Sequence, residues 1–282
     1  MIKTGARDRP DQSRGARVVA VVNQKGGVGK TTTSVNIAAS IAAAERRTLL
    51  LDLDPQGNAS SGVGVSPRTL ERSVYDALIG RASLADVMQP TELSSLMLVP
   101  SKQDLVAAEV ELVDDPERAH KLRRALDELL AAESFDYVFV DCPPSLGILT
   151  VNALAAADRV LVPLQCEYYA LEGLTSLMAT IDRVRGGMNP SLELEGIVLT
   201  MFDPRNNLAH QVADEVKRHF HVFESVIPRN VRLSEAPSHG KPALLYDVES
   251  KGAQGYLSLA RELLARNSGA ALPRAVAHRH AR

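Results

Sequence analysis

The sequence predicts an α/β fold, a mostly parallel twisted sheet with helices on both faces. Three observations carry that expectation. Of the 282 residues, 45% are hydrophobic but only 4% aromatic, with no Trp, a balance that favours helices packed on a sheet over an all-β sandwich. Short Val- and Leu-rich runs alternate with helical patterns along the chain, the order expected of right-handed parallel crossovers. Residues 17–266 contain no repeat and no low-complexity linker, so one domain is the economical reading for them.

The elements follow in order. "RVVAVVN" (17–23) is a short buried strand, followed by a glycine-rich loop and a helix from about Lys30 to Ala44. "RTLLLDLD" (47–54) is a second strand that ends on acids, and "LMLVP" (96–100) is a third. "HKLRRALDELLAA" (120–132) is an amphipathic helix leading into the strand "DYVFVDCPP" (136–144), which Pro143 and Pro144 stop. A helix near 147–156, the strand "RVLVPL" (159–164), a helix near 171–185, the strand "EGIVLTMF" (195–202) and a helix near 207–219 complete the pattern. In such sheets ligands bind at the carboxyl ends of the strands. The segments leaving those ends are "NQKGGVGKTT", "DLDPQGN", "DCPPSLG", "PLQCEYY" and "TMFDPRNN", so the chemistry gathers on one edge.

Charge and cysteine content narrow the function classes. The net charge of −2 gives no general attraction to nucleic acid, so any contact with it needs a local patch. Cys142 and Cys166 match no metal or redox spacing and read as buried small hydrophobes in a reducing compartment. "MIKTGARDRPDQSRGA" (1–16) lacks the apolar core of a signal peptide, and no run of about 18 apolar residues could span a bilayer, so a cytoplasmic location is expected. That opening reads as a flexible basic arm, and 267–282, rich in Arg and without an acid, reads as a flexible basic tail.

A strand, a glycine-rich loop and a helix opening on Lys-Thr are the parts of a Walker A phosphate cradle. In "NQKGGVGKTT" (23–32), backbone N–H groups around Gly26, Gly27, Val28 and Gly29 can converge on phosphate oxygens at a helix N-terminus. Lys30 would neutralise the β- and γ-phosphates, and Thr31, followed by Thr32, would offer its hydroxyl to Mg²⁺. The match is incomplete: Gln24 stands where the first glycine belongs, and a second lysine, Lys25, sits beside the cradle.

Asp141 ends an apolar strand, the context of a Walker B carboxylate that holds the Mg²⁺ shell through water. Asp54 leaves the neighbouring strand and could orient a water for attack on the γ-phosphate. A carboxylate capping the next turn is the alternative for both, and for Asp52 the two readings are evenly matched.

These residues resemble a known family. "KGGVGKTT", with a lysine ahead of the glycines, is the deviant Walker A of the ParA/MinD group. "LDLDPQGNASSGVG", "VDCPPSLG", "LQCEYYALEGL" and "IPRNVRLSEAPSHGKP" resemble its chromosomal ParA (Soj) branch over roughly residues 17–265. The resemblance implies a P-loop ATPase using ATP and Mg²⁺, in which Lys25 crosses to the nucleotide of a second subunit and two monomers sandwich two nucleotides. It implies that Asp54 is needed for hydrolysis and that Pro228 and Asn230 line the adenine pocket. It further implies non-specific binding of double-stranded DNA by the ATP dimer, with Arg205 and Arg232 at the DNA-contacting positions, on the nucleoid, and a ParB-like partner that stimulates slow hydrolysis.

Residues 205–241 hold six Lys/Arg (Arg205, Lys217, Arg218, Arg229, Arg232, Lys241) against four acids, a modest patch suited to phosphate contact. The scarcity of aromatics argues against single-strand or RNA recognition. The competing MinD-like membrane ATPase needs a bulky amphipathic C-terminal helix, which "ALPRAVAHRHAR" does not provide, so no membrane partner is expected. An iron-sulfur ATPase would need cysteines bridging its dimer. A module that holds ATP only as a structural ligand would not need Thr31, Asp54 and Asp141 together.

Overall fold

The computed structural model describes residues 15–267. The expected basic arm (1–16) and tail (267–282) fall almost wholly outside them. The strands are β1 (Arg17–Val21), β2 (Thr48–Asp52), β3 (Gln89–Pro90), β4 (Leu96–Val99), β5 (Tyr137–Asp141), β6 (Arg159–Gln165) and β7 (Glu193–Thr200). The helices are α1 (Lys30–Ala43), α2 (Asn58–Gly62), α3 (Val74–Leu78), α4 (Leu84–Val87), α5 (Val106–Glu111), α6 (Lys121–Ala132), α7 (Ile148–Ala156), α8 (Ala170–Gly187), α9 (Asn207–His219), α10 (Val231–Glu235), α11 (Ala243–Tyr246) and α12 (Lys251–Asn267).

One sheet in the order β3-β4-β2-β5-β1-β6-β7 holds the molecule together. Every pairing is parallel except β3 against β4 at the edge. The order places β5 and β1 at the centre, and the register sets Asp141 opposite both Val21 and Asp52. The ends of the three strands expected to carry the chemistry are therefore neighbours.

Alternation along each strand divides the core in two, as the pleat requires. Val18, Ala20, Leu49, Leu51, Val138 and Val140 pack with α6, α7 and α8 on one face. Val19, Val21, Leu50, Phe139, Leu161 and Val198 pack with α1 and α12 on the other. Both faces are buried, which is why β1, β2 and β5 read as continuous apolar runs.

Several elements depart from the sequence expectation. The short helices α2, α3, α4, α5, α10 and α11 and the two-residue strand β3 are too short to carry a pattern, and the long helix α12 was not expected at all. The latter docks firmly on α1: Tyr256 Oη meets Thr33 Oγ1 at 3.1 Å in the interior. The Glu262 carboxylate, buried, accepts the backbone N–H groups of Glu224 (2.9 Å) and Ser225 (3.0 Å).

Candidate nucleotide site

The glycine loop leaves β1 and is tied down on three sides. The Asn23 side chain donates to the Pro163 carbonyl at 2.8 Å and accepts the Lys25 N–H at 3.0 Å, pinning the loop to β6. Thr200 Oγ1, at the end of β7, donates to the Val28 carbonyl at 2.8 Å. Gln24, the departure from the ordinary motif, reaches across to α8: its Nε2 donates to the Gly173 carbonyl at 3.4 Å and its Oε1 accepts from Ser176 Oγ at 3.2 Å. A glycine could make neither bond.

Gly27 (φ 75°) and Gly29 (φ 87°) lie in the left-handed region, where a side chain would be strained by about 1–2 kcal/mol. Gly29 is the N-cap of α1 and offers no side chain to the first-turn N–H groups. Nothing lies within 4 Å of where a Cβ on Gly26 or Gly27 would stand. A capless helix N-terminus facing an open, glycine-lined loop fits a phosphate.

Lys30, at the start of α1, is 7% exposed, and its Nζ donates to the Lys25 carbonyl at 3.0 Å. Burial holds its pKa below the usual lysine value, opposed by the negative field of Asp141, Cys142 and Asp54. The Thr32 carbonyl accepts from Asn36 Nδ2 at 2.8 Å, so Thr32 contributes its backbone to α1. Lys25 behaves differently: its ammonium forms an ion pair at the surface with Glu167, on the loop leaving β6. The two lysines of the loop thus sit in different surroundings, one inside the cradle and one beside it.

Asp141 is fully buried at the end of β5, where Ser34 Oγ donates to Oδ1 at 2.8 Å. Its Oδ2 has no hydrogen-bond partner among the described residues. Burial raises its pKa, the Asp52 carboxylate on the adjacent strand raises it further, and the Ser34 and Thr31 hydroxyls pull it back. An orphaned carboxylate oxygen beside Thr31 and Lys30 is unfavourable in isolation and fits the outer shell of a divalent cation.

Asp52, also fully buried, is otherwise occupied: its Oδ2 accepts both the Ser60 N–H and Ser60 Oγ at 2.7 Å, and its Oδ1 accepts the Asp54 N–H at 3.2 Å. These bonds make Asp52 a brace of the turn that follows β2. Asp54 accepts the Gln56 N–H on Oδ1 at 2.9 Å, is 7% exposed, and its charge is felt at both Lys30 and Asp141. Its second oxygen carries no hydrogen bond among the described residues and is available to a water.

Pro228 is bridged in parallel to Phe202, just past β7, which sets it beside the strand that holds the glycine loop. Asn230 caps α10, its side-chain oxygen accepting the Arg232 N–H at 3.0 Å. Cys142 and Cys166 are buried and free, and burial raises both thiols, Cys166 to about 11. Among the described residues no group of three or more His, Cys, Asp and Glu could hold a metal ion.

The basic patch is less basic than its sequence. Arg205, 88% exposed, forms a forked pair with Asp203 (2.9 and 3.0 Å), which pulls the Asp203 carboxyl down to about 2. Arg232 pairs with Glu235 at 2.8 Å and Asp247 at 3.1 Å. Arg218 pairs with Glu215 and Lys241 with Glu92. Lys217 and Arg229 are the two of the six cations that enter no ion pair among the described residues. Sequence reasoning also missed Ser34, Glu167 and Thr200, which hold the site from outside the motif. For Ser34 the signal was present, a hydroxyl one turn after Lys30 in "KTTTS".

Comparison with known proteins agrees with this geometry. A family model described as an AAA domain matches residues 16–194. The chain is 58% identical over 254 residues, 89% of each chain, to the chromosome partitioning protein ParA of Myxococcus xanthus. It is 51% identical over 251 residues, 88% of this chain and 98% of the relative, to the sporulation initiation inhibitor protein Soj of Bacillus subtilis. Among solved structures, one from Mycobacterium smegmatis, described as cobyrinic acid a,c-diamide synthase with bound ADP and magnesium, superposes with a TM-score of 0.79 at 38% identity, covering 92% of this chain and 98% of that one. With the two-lysine loop in place and half or more of its residues shared with these relatives over nearly nine-tenths of its length, the chain belongs to the ParA/Soj family of chromosome-partitioning proteins.

Proposed function

We propose that this protein is a DNA-partitioning ATPase whose nucleotide site is completed by a second copy of itself. The observation that carries the reading is the division of labour between Lys30, buried in the cradle, and Lys25, paired at the surface with Glu167. Lys30 and the N–H groups of 26–30 bind the β- and γ-phosphates of ATP. Thr31 and, through water, Asp141 and Asp54 would hold Mg²⁺, which would neutralise phosphate charge when bound. Asp54 orients the attacking water with its free oxygen, and the products are ADP and phosphate. Pro228 and the Asn230 amide border the adenine.

On ATP binding, Lys25 exchanges Glu167 for the nucleotide of the opposing subunit, so two buried triphosphates gain compensating charge only as a dimer. The dimer doubles the weak basic surface and binds double-stranded DNA through its phosphates, without reading sequence, which keeps it on the nucleoid in the cytoplasm. A ParB-like partner stimulates an otherwise slow hydrolysis and releases it. In this cycle ATP acts as a timer. Among the described residues no helix is long and apolar enough to cross a membrane.

The test is DNA binding with ATP, with ADP, and with Lys25→Ala plus ATP, each across a salt series. Binding is expected with ATP alone and to weaken steeply with salt. Binding that needs neither ATP nor Lys25, or that ignores salt, sinks the reading.

A further inference from the structure

Residues 230–247 contribute no strand to the sheet, yet they are closely bonded to one another. Asn230 caps α10, Arg232 pairs with both Glu235 (2.8 Å) and Asp247 (3.1 Å), and Tyr246 Oη donates to Glu235 at 3.3 Å. His239 stacks on Tyr246 with ring centroids 4.9 Å apart. Bonds that join the start of so short a stretch to its end make it a rigid unit.

Two contacts seat this unit, and each leads back to a residue of the nucleotide site. The first is Asn36, buried on α1: its Oδ1 accepts the Ala243 N–H at 2.7 Å, and its Nδ2 donates to the Thr32 carbonyl at 2.8 Å. Thr32 lies in the first turn of α1, directly after Lys30 and Thr31. The second contact is backbone on backbone. A Cβ on Gly240 would stand 2.9 Å from Gly64 Cα, and one on Gly64 would stand 3.1 Å from the Gly240 carbonyl. Gly64 is joined in turn to Asp54 by a run of backbone bonds, Gly64 N–H to Ser61, Ser61 N–H to Gly57 and Gly57 N–H to Asp54, at 2.9–3.1 Å.

Asn36 joins two backbones through the two ends of one amide, so the Thr32 carbonyl and the Ala243 N–H cannot part without stranding a buried polar group. Gly29, the N-cap of α1, lends the first turn no side chain, so a phosphate on its N–H groups is what fixes that turn. We infer that Asn36 is a positioning residue: it passes nucleotide binding from the first turn of α1 to the 230–247 unit, while the Gly64–Gly240 contact keeps the unit seated on the turn that follows Asp54. Arg232 and Lys241 belong to this unit and Arg229 directly precedes it. Its placement would therefore also set three of the cations offered to DNA, a consequence that rests on the partitioning role proposed above, whereas the link through Asn36 does not.

Amide hydrogen exchange of the full chain tests the link, read by mass spectrometry without nucleotide, with Mg²⁺ and ADP, and with Mg²⁺ and a non-hydrolysable ATP analogue. Exchange across 230–247 is expected to slow by about fivefold or more when either nucleotide binds. The ADP arm matters because no sandwich is expected with ADP, so slowing there arises within one chain; slowing with the analogue alone overturns the inference. Asn36→Ala removes both bonds, and with calorimetry showing that nucleotide still binds, its slowing should fall below about twofold. An Asn36 that only braces the fold would lower the melting temperature of the variant and leave the nucleotide-induced slowing intact, which overturns the inference, as does a parent whose 230–247 amides ignore bound nucleotide. Should Asn36→Ala not fold, Gly240→Ala replaces it, since its Cβ pushes the unit off Gly64 three residues from Ala243; full slowing in that variant overturns the inference. DNA binding gives an independent arm. The factor by which the analogue tightens DNA binding should shrink in Asn36→Ala, and by linkage DNA should tighten analogue binding by the same reduced factor. If the parent binds DNA alike in every nucleotide state, the partitioning role fails, and hydrogen exchange still decides the link.

Discussion

The glycine loop and the basic surface past β7 are both built from cations at strand ends, yet they are organised in opposite ways. In the loop, Lys30 is nearly buried, the loop around it is set by a ten-residue motif, and burial lowers its pKa, a cost that an arriving phosphate would offset. On the surface, Arg205 and Arg232 are exposed and already engaged by Asp203, Glu235 and Asp247. Buried charge is placed by the backbone that surrounds it. Exposed charge is set by whichever acids the fold brings nearby, each pair worth little and open to exchange. A substitution in the loop should therefore act as a switch, and one on the surface as an adjustment.

The largest effect is expected at Asp54. Asp54→Ala should lower partner-stimulated ATP hydrolysis by roughly 10²–10⁴-fold while leaving ATP binding intact, read by phosphate release beside nucleotide titration. Equal loss of both would make Asp54 a loop brace, as Asp52 is. Next comes Lys30→Ala, which should weaken ATP binding by about 100-fold or more in calorimetry, since a buried phosphate would lose its charge partner. A loss below about threefold would mean that the α1 N-terminus suffices without the lysine.

The same contrast explains what could be read from the chain beforehand. β1, β2, β5 and β6 fall within a few residues of their expected bounds because strands covered on both faces leave uninterrupted Val and Leu runs. The gathering of Gly26 to Thr32, Asp54 and Asp141 at neighbouring strand ends was legible because their spacing and strand-end context are local. α12 was not: "KGAQGYLSLARELLARN" carries Gly252 and Gly255, which argue against a helix. The fold requires them, since a Cβ on Gly252 would sit 2.6 Å from Leu233 and one on Gly255 3.2 Å from Ile227. Packing against residues distant in sequence overrode the local signal. Asp203 and Asp247 were missed for a related reason, because the basic patch was counted between residues 205 and 241 and both acids lie just outside it.

Asp141 sharpens the buried half of the comparison through pH. Its folded-state pKa is raised, chiefly by desolvation, above that of the unfolded chain. The nucleotide-free fold therefore binds the proton more tightly, and its stability is fully present below the ordinary carboxylate range and is lost as pH rises through the folded value. Asp141→Asn should remove that loss. The nucleotide-free variant is expected to be more stable than the parent at pH 8, on the order of 1–3 kcal/mol, and to differ less from it at pH 5. Thermal melts at the two pH values check this, and a destabilised variant at pH 8 would show that the charge is already compensated.

The smallest effects test the surface. If ion pairing keeps Arg205 and Arg232 partly occupied, then Arg229, which enters no ion pair among the described residues and whose field is felt at Asp203, is the cation most available to a phosphate. Arg229→Ala should weaken DNA binding by the ATP dimer about three- to tenfold at low salt and reduce the salt slope by about one for each phosphate it no longer reaches. Arg205→Ala should do less, because binding through Arg205 must first break its forked pair with Asp203. Asp203→Asn separates the possibilities: freeing Arg205 should tighten DNA binding by a few-fold and make Arg205→Ala costly in that background. If Asp203→Asn leaves affinity unchanged and Arg205→Ala is already the more damaging substitution, exchange of the ion pair is nearly free, and the surface is as ready for its ligand as the cradle is.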